Sequence, residues 1–123
     1  MNNTSTEILF EDNHLIAINK KPGDITQADR TGDLPLSYYV KKYIKKKYKK
    51  PGNVFLGTIH RLDRPTSGVI IFAKTSKALT RMNKKFRENE VQKTYWALVD
   101  NSPPKKSGLI ENYLKKNQKL NKS

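Results

Sequence analysis

The chain has 123 residues, with 25 Lys and Arg against 11 Asp and Glu, a formal charge of +14 and a pI near 10.0. It has no cysteine, which excludes disulfides and thiolate metal sites, and two histidines, His14 and His60, are too few for a structural zinc site. No apolar run is long enough to span a bilayer and none has the form of a signal peptide, so the expectation is a cytoplasmic, metal-free protein with no membrane partner, forming a single small domain over residues 1–123.

A field of this sign favours polyanions, chiefly through counterion release from phosphates. A Lys-rich solubilising surface or an anionic membrane surface are the other uses of such charge. Hydrophobic content is 35%, so the core is expected to be thin.

In chain order, Glu7 to Phe10 and His14 to Asn19 read as strands joined by the turn chemistry of Glu11-Asp12-Asn13. Lys21-Pro22-Gly23-Asp24 ends the second strand. After a polar loop, Asp33 is expected to cap a helix that tolerates Pro35 in its first turn. Leu36, Tyr39, Val40, Tyr43 and Ile44 then recur at helical spacing, and Pro51-Gly52 stops the helix. Its other face carries Lys41, Lys42, Lys45, Lys46 and Lys49, which serve either as a solvated face or as phosphate contacts.

Val54 to His60 reads as a strand, Asp63 to Gly68 as a turn, and Val69 to Ala73 as a central strand. Ser76 is expected to cap a second helix with Leu79, Met82 and Phe86 on one face and Asn89 at its exit. Val91 to Val99 reads as a last strand, containing Tyr95 and Trp96. Residues from about 101 to 123 are Lys- and Asn-rich after Pro103-Pro104 and are expected to be poorly ordered. The order predicts an α/β (α+β) fold with a mixed, mainly antiparallel sheet and flanking helices.

One carboxylate stands out. Between Leu34 and Arg87, Asp63 is the only Asp or Glu, among fifteen Lys and Arg. Carboxylates repel phosphate, so one placed here either shapes a turn, as an Asx-turn over Asp63-Arg64-Pro65-Thr66, or works on a nucleic-acid substrate as nucleophile or base.

The run His60-Arg61-Leu62-Asp63-Arg64-Pro65-Thr66-Ser67-Gly68, followed by Ala73-Lys74, resembles the signature of the RluA family of RNA pseudouridine synthases. Asp12 to Lys20 resembles that family's first strand and the Lys-Pro-Gly-like turn after it, and Lys93-Thr94-Tyr95-Trp96 resembles its Lys-x-Tyr strand. The resemblance runs from about residue 7 to about residue 113. It implies a cofactor-free isomerisation of uridine to pseudouridine in structured RNA, with rRNA as first substrate class and tRNA as second. The target base would be flipped into a pocket.

By the same resemblance Asp63 is the essential aspartate, Tyr95 packs against the uracil and aids proton removal, and Arg61 helps displace the base. Arg64 and Lys74 would meet RNA, while His60, Thr66 and Gly68 would support the turn; Lys41 and Lys45 join the RNA contacts from the charged helix face, not from the resemblance. The family's catalytic domain continues through further strands that bring a basic partner for the aspartate and apolar residues lining the uracil pocket. No equivalent of these is found here. The chain thus resembles the amino-terminal part of a catalytic domain, without the S4-type RNA-binding domain of some relatives. The alternative expectation is a truncated, weak or inactive RNA-binding fragment.

Overall fold

The computed structural model describes residues 6–115. The chain divides into two compact units, residues 1–92 and 93–123. In the first, β1 (Ile8–Glu11), β2 (Leu15–Lys20), α1 (Leu36–Tyr48), β3 (Gly57–Thr58), β4 (Gly68–Ala73) and α2 (Ser76–Arg87) follow in order. The four strands make one antiparallel sheet in the order β1-β2-β4-β3, so the fold is the mixed α+β arrangement that the sequence predicts.

Alternation decides which side chains enter the core. Ile16, Ile18, Ile70 and Phe72 lie on one face of the paired strands β2 and β4, where Ile16 opposes Phe72 and Ile18 opposes Ile70. Leu36, Val40 and Ile44, four residues apart on α1, complete this core. Lys20 continues the same alternation opposite Gly68 and is fully buried.

The helix boundaries differ from expectation for local reasons. Asp33 does not cap α1: Pro35 occupies the cap without a side-chain bond, and the Leu36 N–H donates to the Ile25 carbonyl at 2.7 Å. The Asp33 carboxylate is instead held by Arg64 at 3.0 Å. α1 ends at Lys49, in the left-handed region (φ 51°), just before Pro51-Gly52. Thr75, one residue before the expected Ser76, caps α2 by accepting from the Ala78 N–H at 3.1 Å. Asn89 makes the left-handed exit (φ 57°) expected of it.

Two expected strands are shortened or missing. Of Val54 to His60, only Gly57–Thr58 pairs with β4. The ladder stops where His60 Nε2 accepts the Ile71 N–H at 3.0 Å in place of a backbone carbonyl. Val91 to Val99 is not a strand: a strand persists only with a hydrogen-bonded neighbour, and residues 93–115 contain no helix or strand at all. Trp96 there is 95% exposed. Residues 116–123, part of the stretch expected to be poorly ordered, lie outside the described residues.

A cluster built on Glu11 ties β1, α1 and β4 together. Its carboxylate, 8% exposed, accepts from Lys74 (2.6 Å), Tyr48 (2.7 Å), Tyr43 (2.8 Å) and Lys47 (3.0 Å). Burial alone would raise its pKa, but the bonds from Lys74, Tyr48, Tyr43 and Lys47 outweigh it and hold the group at about 2, against 4.5 ordinarily. The folded carboxyl therefore binds its proton more weakly than the unfolded one. This stabilisation, about 3 kcal/mol, is whole above pH ~4.5 and lost as pH falls towards ~2. Urea midpoints measured across that window are expected to fall steeply, and Glu11→Gln is expected to flatten the decline.

Candidate active site

The loop between β3 and β4 carries the Asp63 motif. Its turn is closed by the Thr66 N–H donating to the Asp63 carbonyl at 2.9 Å. Gly68 follows with φ 141°, a backbone state that favours glycine, and a Cβ there would meet only Leu62 Cδ1 at 3.6 Å. The restriction at Gly68 is thus one of backbone conformation more than of space.

The turn is held from below by the end of β2 and the segment after it. Lys20 Nζ donates to the carbonyls of Thr66 (2.6 Å), Arg64 (2.9 Å) and Lys21 (3.2 Å), filling all three ammonium donors with backbone oxygens. The Gly23 N–H donates to the Arg64 carbonyl at 2.8 Å, and the Leu62 N–H donates to Thr26 Oγ1 at 3.4 Å. Burial pulls the Lys20 pKa below the usual lysine range, opposed by the nearby Asp24 carboxylate, lowered further by Arg64 and opposed again by Asp63.

Lys20 and Thr26 are absent from the set read from sequence, although the signal for Lys20 was present. Period-two alternation puts it on the face of Ile16 and Ile18, where a lysine must bring its own acceptors.

The Asp63 side chain is exposed, and among the described residues it forms no ion pair. Arg61, also exposed, forms none either among those residues. Arg64 turns away into the preceding loop, to Asp33 at 3.0 Å and Asp29 at 3.7 Å. His60 stacks on Phe86 of α2 with ring centroids 5.0 Å apart. Because its Nε2 accepts the Ile71 N–H, its ring proton sits on Nδ1.

The other sequence-derived lysines of the first unit lie apart from this turn. Lys74 follows the far end of β4, about 20 Å along the strand from Gly68. Its ammonium, 10% exposed in side chain, is committed to Glu11 and the Asp12 carbonyl. Lys45 Nζ donates to the Gly52 carbonyl at 2.7 Å, in the loop after α1, and Lys41 is exposed. Tyr95 belongs to the second unit, where it is 64% exposed in chain without regular structure. Among the described residues no three His, Asp or Glu side chains group as metal ligands, and no helix is long and apolar enough to cross a membrane.

Comparison with known proteins matches this arrangement to one family. Residues 14–123 match the profile of the family described as RNA pseudouridylate synthase. Ribosomal large subunit pseudouridine synthase C of Buchnera aphidicola (from Acyrthosiphon pisum, strain APS) is 40% identical over 97 residues, covering 79% of this chain and 29% of that protein. The Escherichia coli K12 protein of the same name is 39% identical, covering 75% and 27%. The tRNA pseudouridine synthase C of Pectobacterium carotovorum is 35% identical over 99 residues, covering 78% and 24%.

Among solved structures, human RNA pseudouridylate synthase domain containing 4 superposes with a TM-score of 0.58 at 26% identity, covering 68% of this chain and 30% of that one. The chain spans less than a third of the length of these relatives. With a profile match over most of its length, and with the motif on a turn locked by a buried lysine, the chain belongs to the RNA pseudouridylate synthase family.

Proposed function

We propose that the protein isomerises uridine to pseudouridine in structured RNA, without a cofactor, in the cytoplasm. Ribosomal RNA is the first substrate class, because the Buchnera and E. coli relatives are named for the large ribosomal subunit, and tRNA the second, after the Pectobacterium relative. The observation that carries the proposal is Asp63: an exposed carboxylate with no ion-pair partner among the described residues, on a turn whose backbone is clamped by Lys20. Such a group keeps its lone pairs for a substrate while its position is fixed by its neighbours' backbone.

In this reaction the N1–C1′ bond of uridine breaks and a C5–C1′ bond forms. The C5 hydrogen leaves as a proton and N1 gains one, so atoms balance within the nucleoside and solvent. Asp63 serves either by attacking C1′ or by promoting proton loss at C2′. Tyr95 is assigned to the uracil and its C5 proton, and Arg61 to displacement of the base, which must leave the stack to be reached. Of the lysines and arginines read as RNA contacts, exposed Arg61 and Lys41 suit that task best. Lys45, Lys74 and Arg64 already have protein partners.

Alternatively, the 123-residue chain by itself binds RNA without turning it over. The observation favouring this is Tyr95, exposed and outside any strand ladder. Tritium release from RNA labelled at uridine C5 separates the two, since every isomerisation frees one C5 hydrogen. With protein in excess, release is expected from wild type. Filter-bound RNA with no release over background would instead support binding alone.

A further inference from the structure

A groove of about 260 Å³ lies between α2 and the start of β2, away from the Asp63 turn. Leu15, which lines it, pairs with Ala73 at one end of the β2–β4 ladder, whereas Lys20 and Gly68 close the other end, about 17 Å away along the strand. One side is lined by the aliphatic stems of Lys77, Arg81 and Lys85, spaced four residues apart and therefore stacked along one ridge of α2 with a rise of about 6 Å per step. Leu15, Ala78 and Met82 supply apolar lining, His14 lines it too, and no carboxylate does.

Two further observations give this ridge a ligand. α2 contains no Asp or Glu, and among the described residues Lys77 and Arg81 form no ion pair. Among the described residues the ion-pair partner of Lys85 is Glu90, at 3.6 Å between half-exposed side chains, a contact worth little. Lys45, Lys47 and Lys74, in and around α1, are engaged by protein oxygens, whereas Lys41, Lys42 and Lys46 of α1, like the α2 cations, form no ion pair among the described residues; what sets the α2 row apart is the apolar groove beside it. A row of unengaged cations beside an apolar lining matches a strand whose phosphates repeat along one edge and whose sugars and bases present apolar faces.

We propose that the α2 groove seats the RNA strand flanking the target nucleotide, with phosphates on Lys77, Arg81 and Lys85 and a ribose or base against Leu15 and Met82. This rests on the RNA-directed function proposed above and extends it to a second contact. An anionic membrane is the competing ligand for a cationic ridge. The apolar lining is short and concave, which suits one nucleotide better than a lipid surface.

The test is binding of a labelled single-stranded oligouridylate, followed by anisotropy over a range of salt. The triple variant Lys77→Gln/Arg81→Gln/Lys85→Gln is compared with Lys42→Gln/Lys46→Gln/Lys50→Gln, which removes the same charge from in and around α1. Circular dichroism checks that both fold. The α2 variant is expected to bind on the order of tenfold more weakly and to lose about 2 from the log–log salt slope, the share of three single-strand phosphate contacts. The α1 variant should change less than half as much.

The chain has two methionines, Met1 and Met82, so the Met82 methyl resonance is readily assigned. It is expected to shift on adding the oligonucleotide. Equal weakening by both triples, or an unmoved Met82 methyl, would overturn the proposal. So would loss of binding to phosphatidylserine vesicles by the α2 variant with RNA binding intact. The readout is binding, so failure of the isomerase assignment would leave it unchanged.

Discussion

Asp63→Asn is expected to lower uridine isomerisation by at least about a thousandfold, the scale seen when a group that acts directly on the reacting atoms is removed. The substitution keeps the shape of the side chain and removes its charge and its ability to attack or take a proton. Stability should stay within about 0.5 kcal/mol, because the exposed carboxylate forms no ion pair among the described residues and the turn is closed by backbone groups. The two measurements together separate a reactive carboxylate from an Asx-turn. A turn residue would lose stability and keep most of its rate when changed to alanine. Single-turnover tritium release and urea unfolding, run on the same preparations, give both numbers.

The second large effect concerns Lys20. Lys20→Met keeps the aliphatic stem but removes an ammonium that serves three carbonyls, those of Lys21, Arg64 and Thr66. The Arg64 and Lys21 carbonyls keep the Gly23 and Asp24 N–H donors, whereas that of Thr66 loses its short charge-assisted donor. Removing one partner from a buried polar cluster costs about 2–4 kcal/mol. For a unit of this size that lowers the melting temperature by roughly 10–20 °C. The Asp63 turn also loses its underlying clamp, so isomerisation measured well below the melting temperature is expected to fall as well. A variant with wild-type stability would show that the ammonium bonds contribute nothing net.

Much of the fold was legible because it follows from periodicity. The alternation of Ile16 and Ile18 and the four-residue spacing of Leu36, Val40 and Ile44 define the core directly. The Asp63 turn was legible from its Pro and Gly and from its isolation among cations. What escaped depends on partners distant in sequence. Asp33 looked like a helix cap, but the Arg64 guanidinium competes for its carboxylate across thirty-one residues. Lys74 sits beside a motif and reads as a phosphate contact, yet Glu11, distant in sequence, holds its ammonium. His60 ends a strand ladder with its ring, a substitution of side chain for backbone that no propensity records. Residues 91–99 have strand composition, but composition supplies no neighbouring strand.

Asp63 as the reacting group on a uridine is tested most directly by mapping pseudouridine in unmodified rRNA. The RNA is incubated with an excess of wild-type or Asp63→Asn protein, treated with carbodiimide and read by primer extension. Discrete stops with wild type that vanish with Asp63→Asn are the expected result. The same stops, at the same positions and intensity, with Asp63→Asn would contradict the role assigned to Asp63.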